Sequence, residues 1–216
     1  MLWREYCDYR DGAKGTGVGI WRPLITWAVG NQFVAAREDW PHATPCPTGF
    51  DNSQSEPSFE RVADEIAMCA TGWLLHHELA HIRRGHVGAV APDVSRQQER
   101  EADEAATRWL LEMAPKGIAS TKRACGIAAA IVALAALELH QPPAPSTDPD
   151  HPPTSDRIFH CLSQSGINEK SVELMIAALG VRAILLHYGH EVPVSAYETP
   201  QECLDDFCRV LDSHVR

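Results

Sequence analysis

His77-Glu78-Leu79-Ala80-His81 sets two imidazoles four residues apart around a glutamate. On an α-helix, positions i and i+4 project from one face, so both rings reach one metal ion while Glu78 leans towards a water beside it. Zinc is the ion this donor set suits, and a hydrolytic zinc site needs three protein ligands with one position left open. Glu99, in Ser95-Arg96-Gln97-Gln98-Glu99-Arg100-Glu101-Ala102-Asp103, supplies the third ligand from a following helix, with Glu101 the second choice on another face. Asp103 lies one turn beyond Glu99, where it can accept a hydrogen bond from the far nitrogen of a ligand histidine and fix its orientation.

The expected chemistry follows from charge. Two neutral imidazoles and one carboxylate leave Zn2+ net positive, able to acidify a water and polarise a carbonyl. Glu78 then takes the proton of the attacking water and hands it to the leaving amine. A donor for the developing oxyanion is still required, and His151, Arg157, His160, His187, Tyr188 and His190 are all open to that role. His76 is turned away from His77 around the helix and reads as a core or surface residue. His86, after Gly85, reads as a helix-end cation beside Arg83 and Arg84.

Two helices must carry these residues. From Ser58 as N-cap, Phe59, Val62, Ile66, Trp73, Leu74, Leu79 and Ile82 recur at near-helical spacing until Gly85. A second helix begins at Pro92 and Asp93, carries Ala102, Ala105, Ala106, Trp109 and Leu110, and closes at Pro115 and Gly117. Ala124 to Leu137 is alanine-rich and free of charge. Its fourteen residues fall short of the ~20 that span a bilayer, so it is expected to be a buried core helix behind the metal-bearing pair. Further on, Ser171 to Tyr188 has apolar periodicity, and Thr199-Pro200-Gln201-Glu202 is a capping box opening a helix to about Ser213. Leu24 to Val29 and Gln32 to Ala36, joined by Gly30-Asn31, read as a hairpin forming one wall of the cleft. Loops are expected from Asp39 to Pro57 and from Gln141 to Pro153. The fold class is therefore mainly α, an α+β zincin-like domain over residues 1–216: a metal-binding helix pair on a helical core with a small N-terminal β-hairpin.

Three signatures in order, His77-Glu78-x-x-His81, Glu99-x-x-Ala102-Asp103 and His151-Pro152-x-x-x-x-Arg157, resemble those of the M48-type gluzincins. The likeness covers roughly residues 73 to 158. It implies that His77, His81 and Glu99 bind zinc, Glu78 is the base, Asp103 supports a ligand, and Arg157 lies near the substrate cleft. Most M48 members that process membrane proteins carry long transmembrane helices, and this chain departs from them there. It is more similar to the U49 peptidases, typified by a phage-exclusion protease, a group taken to include the metalloproteases paired with helix-turn-helix repressors in CBASS anti-phage operons. That resemblance implies a protein substrate, either the repressor or a translation factor, and single-stranded DNA as an activator.

Composition narrows the setting. The chain has 216 residues, 44% hydrophobic and 22% charged, ordinary usage for one globular domain. Its seven cysteines lack CxxC spacing and read as reduced thiols of a cytoplasmic protein, and Met-Leu-Trp-Arg-Glu-Tyr holds no apolar signal core. No membrane association is expected. A net charge of −10 opposes broad binding to duplex DNA, which depends on cations neutralising phosphates. Cys46, in Thr44-Pro45-Cys46-Pro47-Thr48-Gly49, is a thiol whose thiolate can fill the open metal position as an inhibitory switch, or else a loop cysteine without a role. A non-catalytic zinc sensor that binds a repressor or DNA is the competing reading. The retained Glu78 argues against it, because a closed structural site has no use for a base between its ligands.

Overall fold

The computed structural model describes residues 59–86, 90–112, 116–140, 151–192 and 196–215. They form six helices: α1 (Phe59–Arg84), α2 (Pro92–Glu112), α3 (Ile118–His140), α4 (Thr154–Ser163), α5 (Val172–His187) and α6 (Pro200–Val215). No strand occurs among the described residues, and the mainly helical class holds for them. The expected hairpin at residues 24–36, the loop at 39–57 and Cys46 all lie outside them.

Helix α1 ends where a left-handed residue ends it. Gly85 sits at φ 68°, and the backbone N–H of His86 reaches back to the Ile82–His81 turn, donating to the His81 carbonyl at 2.9 Å. Its buried stripe runs Val62, Ile66, Trp73, His77, Ala80, so the first ligand lies on the core face of the helix. Leu79 and Ile82, read from the sequence as part of that face, are 40% and 72% exposed, on the outer side with Met68 and Leu75. Helix α2 behaves similarly. Glu99, Asp103, Ala106 and Leu110 share one buried stripe at i, i+4, i+7 and i+11, while Trp109 is half-exposed and stacks on His76 at 3.4 Å between ring centroids.

Helix α3 is the centre of the molecule and packs on α1, α4 and α5. At 23 residues it is longer than the fourteen expected, because the polar residues flanking the alanine run are helical too. By length and composition alone, Ile118–Glu138 would suffice to cross a membrane. Its charges, however, have partners inside the fold: Lys122 pairs with Glu65 of α1, Arg123 donates to the Leu110 carbonyl of α2 at 2.8 Å, and Glu138 lies 3.4 Å from Arg157 of α4. Small residues let the helices approach. A Cβ on Gly126 would lie 2.4 Å from the Cys69 Cβ and 3.0 Å from the Ala70 nitrogen, so α1 and α3 touch backbone to backbone there. On the far side, Gly180 of α5 admits Val132 in the same way.

Helix α4 was not anticipated; only the end of the preceding loop at Pro153 was. Its ten residues bury Thr154, Arg157, Ile158, Cys161 and Leu162 against α3 and α6. Helices α5 and α6 begin within a residue of the positions expected. At α6, the Thr199 hydroxyl accepts from the Glu202 N–H at 3.2 Å, while the Glu202 carboxylate takes the N–H of Glu198 at 3.0 Å instead of that of Thr199.

Candidate metal centre

The i, i+4 spacing on α1 and the inward stripe of α2 bring three ligand atoms together. His77 Nε2 and His81 Nε2 are 3.1 Å apart, and Glu99 places one carboxylate oxygen 3.4 Å from His77 Nε2 and the other 3.3 Å from His81 Nε2. Ligand atoms held ~2.0–2.1 Å from a common tetrahedral ion lie about 3.3 Å from one another. The three donors therefore have the spacing and the chemistry to hold a metal ion, and they form a group of that kind.

Behind each imidazole stands a partner that matters for its tautomer. Asp103 Oδ1 is 2.9 Å from His77 Nδ1. The pair is not aligned as a hydrogen bond, but a carboxylate that close favours the hydrogen of a neutral His77 on Nδ1, with the Nε2 lone pair towards the cluster. Asp103 is itself clamped by Arg157, whose Nε and Nη2 donate to its two oxygens, each at 2.8 Å. From the other side, Trp73 lies 5.3 Å from His77 between ring centroids, near-parallel, and its indole N–H donates to the buried Thr107 hydroxyl at 2.9 Å. His81 has a different support: His86 Nδ1 is 3.2 Å from its Nδ1.

Electrostatics reflect the crowding. Burial opposes an imidazolium at His77, but the adjoining carboxylates of Asp103 and Glu99 outweigh it and push the group up to about 9. Burial alone would raise Glu99, yet His151 and His77 hold it far below the usual carboxylate range. Asp103 is likewise lowered, against burial, by His77 and then Arg157. Glu138 goes the other way, raised by burial despite His151 and Arg157.

Each residue singled out from sequence can now be placed. His77, His81 and Glu99 converge, Asp103 backs His77, and Glu78 is exposed, with its charge acting on His81. His151 sits at the edge, its Nδ1 3.3 Å from Glu99 Oε2 and its side chain 44% exposed. Arg157 has a side chain only 3% exposed, engaged by Asp103, Glu138 and, at 3.6 Å, Glu99, and it lines a pocket with Arg100, Asp156 and His160. His160 pairs with Glu104 at 3.2 Å. His187, Tyr188 and His190 lie at the end of α5, whose main partners are α3 and α6. Glu101 is drawn off to Arg84 at 2.7 Å. Sequence reasoning missed Trp73, Glu138 and His86 as members of the site. The first was legible, four residues before His77 on the same face; Glu138 could be noticed only as a lone acid closing an apolar run.

The peptidase U49 family profile matches residues 21–179. The chain belongs to the peptidase U49 family. Over 176 residues it is 33% identical to the cell death peptidase of Escherichia coli strain K12, an alignment covering 80% of this chain and 56% of that protein. The chain thus spans little more than half the length of that relative. No solved structure matches it. The U49 match contains all three signatures, from His77 to Arg157.

Proposed function

We propose that this chain is a zinc-dependent endopeptidase that cuts a specific protein inside the cell. The observation carrying the reading is the convergence of His77 Nε2, His81 Nε2 and the Glu99 carboxylate at 3.1–3.4 Å, with an exposed glutamate between the two histidines in sequence. A zinc ion held by His77, His81 and Glu99 would supply Lewis acidity, acidifying the attacking water and polarising the scissile carbonyl. Glu78 is the base that accepts the water proton and returns it to the departing amine. His151, half-exposed beside Glu99, is the group able to turn an N–H towards the oxyanion. Asp103 holds His77 by Nδ1, and Arg157 holds Asp103. Arg157 accordingly supports the site from within.

The substrate we assign is a helix-turn-helix repressor of an anti-phage operon, with single-stranded DNA as activator and Cys46 as the restraining thiol, in the cytoplasm. Support comes from the resemblance of the three signatures. A second reading is favoured by the name of the relative, cell death peptidase: the protein cut is one the cell needs, such as a translation factor. The test is cleavage of the neighbouring repressor and of translation factors by wild type and Glu78→Gln, with and without single-stranded DNA. Repressor cleavage by wild type alone, increased by DNA, supports the first reading, and cleavage of a translation factor supports the second. Equal metal binding by both proteins with no cut of any substrate sinks the peptidase reading. Cys46→Ser should raise basal cleavage, and unchanged activity and metal affinity would remove the switch.

A further inference from the structure

The two ligand histidines are backed unequally. His77 leans on a buried anion, whereas His81 meets a second imidazole. His86 Nδ1 lies 3.2 Å from His81 Nδ1, a distance at which one nitrogen must carry the hydrogen and the other must accept it. The two arrangements have opposite consequences. If His86 donated, the single hydrogen of neutral His81 would sit on Nε2, inside the ligand cluster, and His81 could bind no metal. If His81 donates, its Nε2 lone pair is free and His86 carries its own hydrogen on Nε2.

With an ion on His81 Nε2 the second arrangement is the one open, and the surroundings of His86 favour it. Its Nε2 faces the Glu101 carboxylate at 3.7 Å, beyond hydrogen-bond range but close enough for the negative charge to favour an N–H on that side. Glu101 is fixed by Arg84 at 2.7 Å and by the Gln97 amide at 3.0 Å. The geometry of His86 is fixed as well: Gly85 at φ 68° turns the chain, the His86 N–H returns to the His81 carbonyl at 2.9 Å, and the side chain is 9% exposed. The two rings meet edge to face at 5.2 Å.

We infer that His86 is the positioning residue of His81: it accepts the Nδ1 hydrogen of that ligand, and Glu101 holds His86 in the accepting tautomer. The inference rests on the metallopeptidase reading: without an ion, His77 Nε2 at 3.1 Å and Glu99 Oε1 at 3.3 Å favour the His81 hydrogen on Nε2, and an ion held there moves it to Nδ1, facing His86. Such supports for ligand histidines govern metal affinity by about 10- to 100-fold.

Two measurements on the full chain test it. Zinc competition with a chromophoric chelator should show His86→Ala weakened about 10- to 100-fold. His86→Gln, whose amide oxygen can accept, should stay much nearer wild type. Long-range 1H–15N imidazole spectra of the zinc-loaded wild type should place the His86 hydrogen on Nε2, leaving its Nδ1 to accept. A His86 hydrogen on Nδ1 there, or equal zinc affinity of the alanine and glutamine variants, overturns the inference and leaves the metallopeptidase reading standing. Absence of zinc binding by wild type overturns both.

Discussion

Arg157 is enclosed, with both oxygens of Asp103 on one edge of its guanidinium. The third signature implies a place near the substrate. Removing one partner of a buried, hydrogen-bonded pair leaves an uncompensated charge and costs about 3–5 kcal/mol. Arg157→Ala should therefore lower the urea midpoint sharply, and Arg157→Lys should recover little, because an ammonium cannot match the two-pronged contact. A substrate-binding arginine would show the reverse pattern, normal stability with raised KM. Asp103→Asn removes the acceptor that fixes the His77 tautomer and should weaken zinc binding by about 10- to 100-fold in chelator competition. At this scale the sequence was most informative where spacing alone dictates geometry. His77 and His81 follow from one helical turn, and Glu99 and Asp103 share the register of Ala106 and Leu110 on α2. His86 reads from the sequence as a helix-end cation, because its contact with His81 depends on how the chain turns at Gly85, which no periodicity encodes.

Among the elements, the pairing of α1 with α3 determines where the histidines stand. Gly126→Ala forces a methyl into Cys69 and the adjoining backbone of α1, an overpacking that should cost about 1–3 kcal/mol. Gly180→Ala meets only the Val132 side chain and should cost less, a ranking that thermal melts of the two variants will check. The Glu65–Lys122 pair joins the same two helices. Lys122, with Arg61 adding to it, holds the Glu65 carboxyl below its ordinary value of 4.5 against the opposing effect of burial. A lowered folded pKa means that the stabilisation is complete above the unfolded value and is lost as pH falls through the folded one. Glu65→Gln should thus destabilise by about 0.5 kcal/mol at neutral pH, and the gap from wild type should close as the pH is taken below 4.5. Helix α3 was recognisable by its alanine run but not by its full length, since Lys122, Arg123 and Glu138 look like boundaries until their partners on other helices are known. Helix α4 was hidden by Pro152 and Pro153 and by its brevity, although its buried residues recur at i, i+3 and i+4.

For the whole molecule, the ligands come from two helices and their supports from two more, so ion binding and folding are linked. At free zinc one hundred times Kd, stability should rise by about 2.7 kcal/mol, and Tm by roughly 5–10 °C for a chain of this size. A chelator should reverse the rise; Glu78→Gln should respond as wild type, and His81→Ala should not respond. The clamp between Asp103 and Arg157 spans 54 positions of the chain. A ribosome makes those positions in order, and an unfinished chain that ends before α4 already holds both histidines and Glu99 but lacks the guanidinium that steadies the first of them. The candidate ion site thus has its ligands early in translation but its full backing only late, once α4 has emerged.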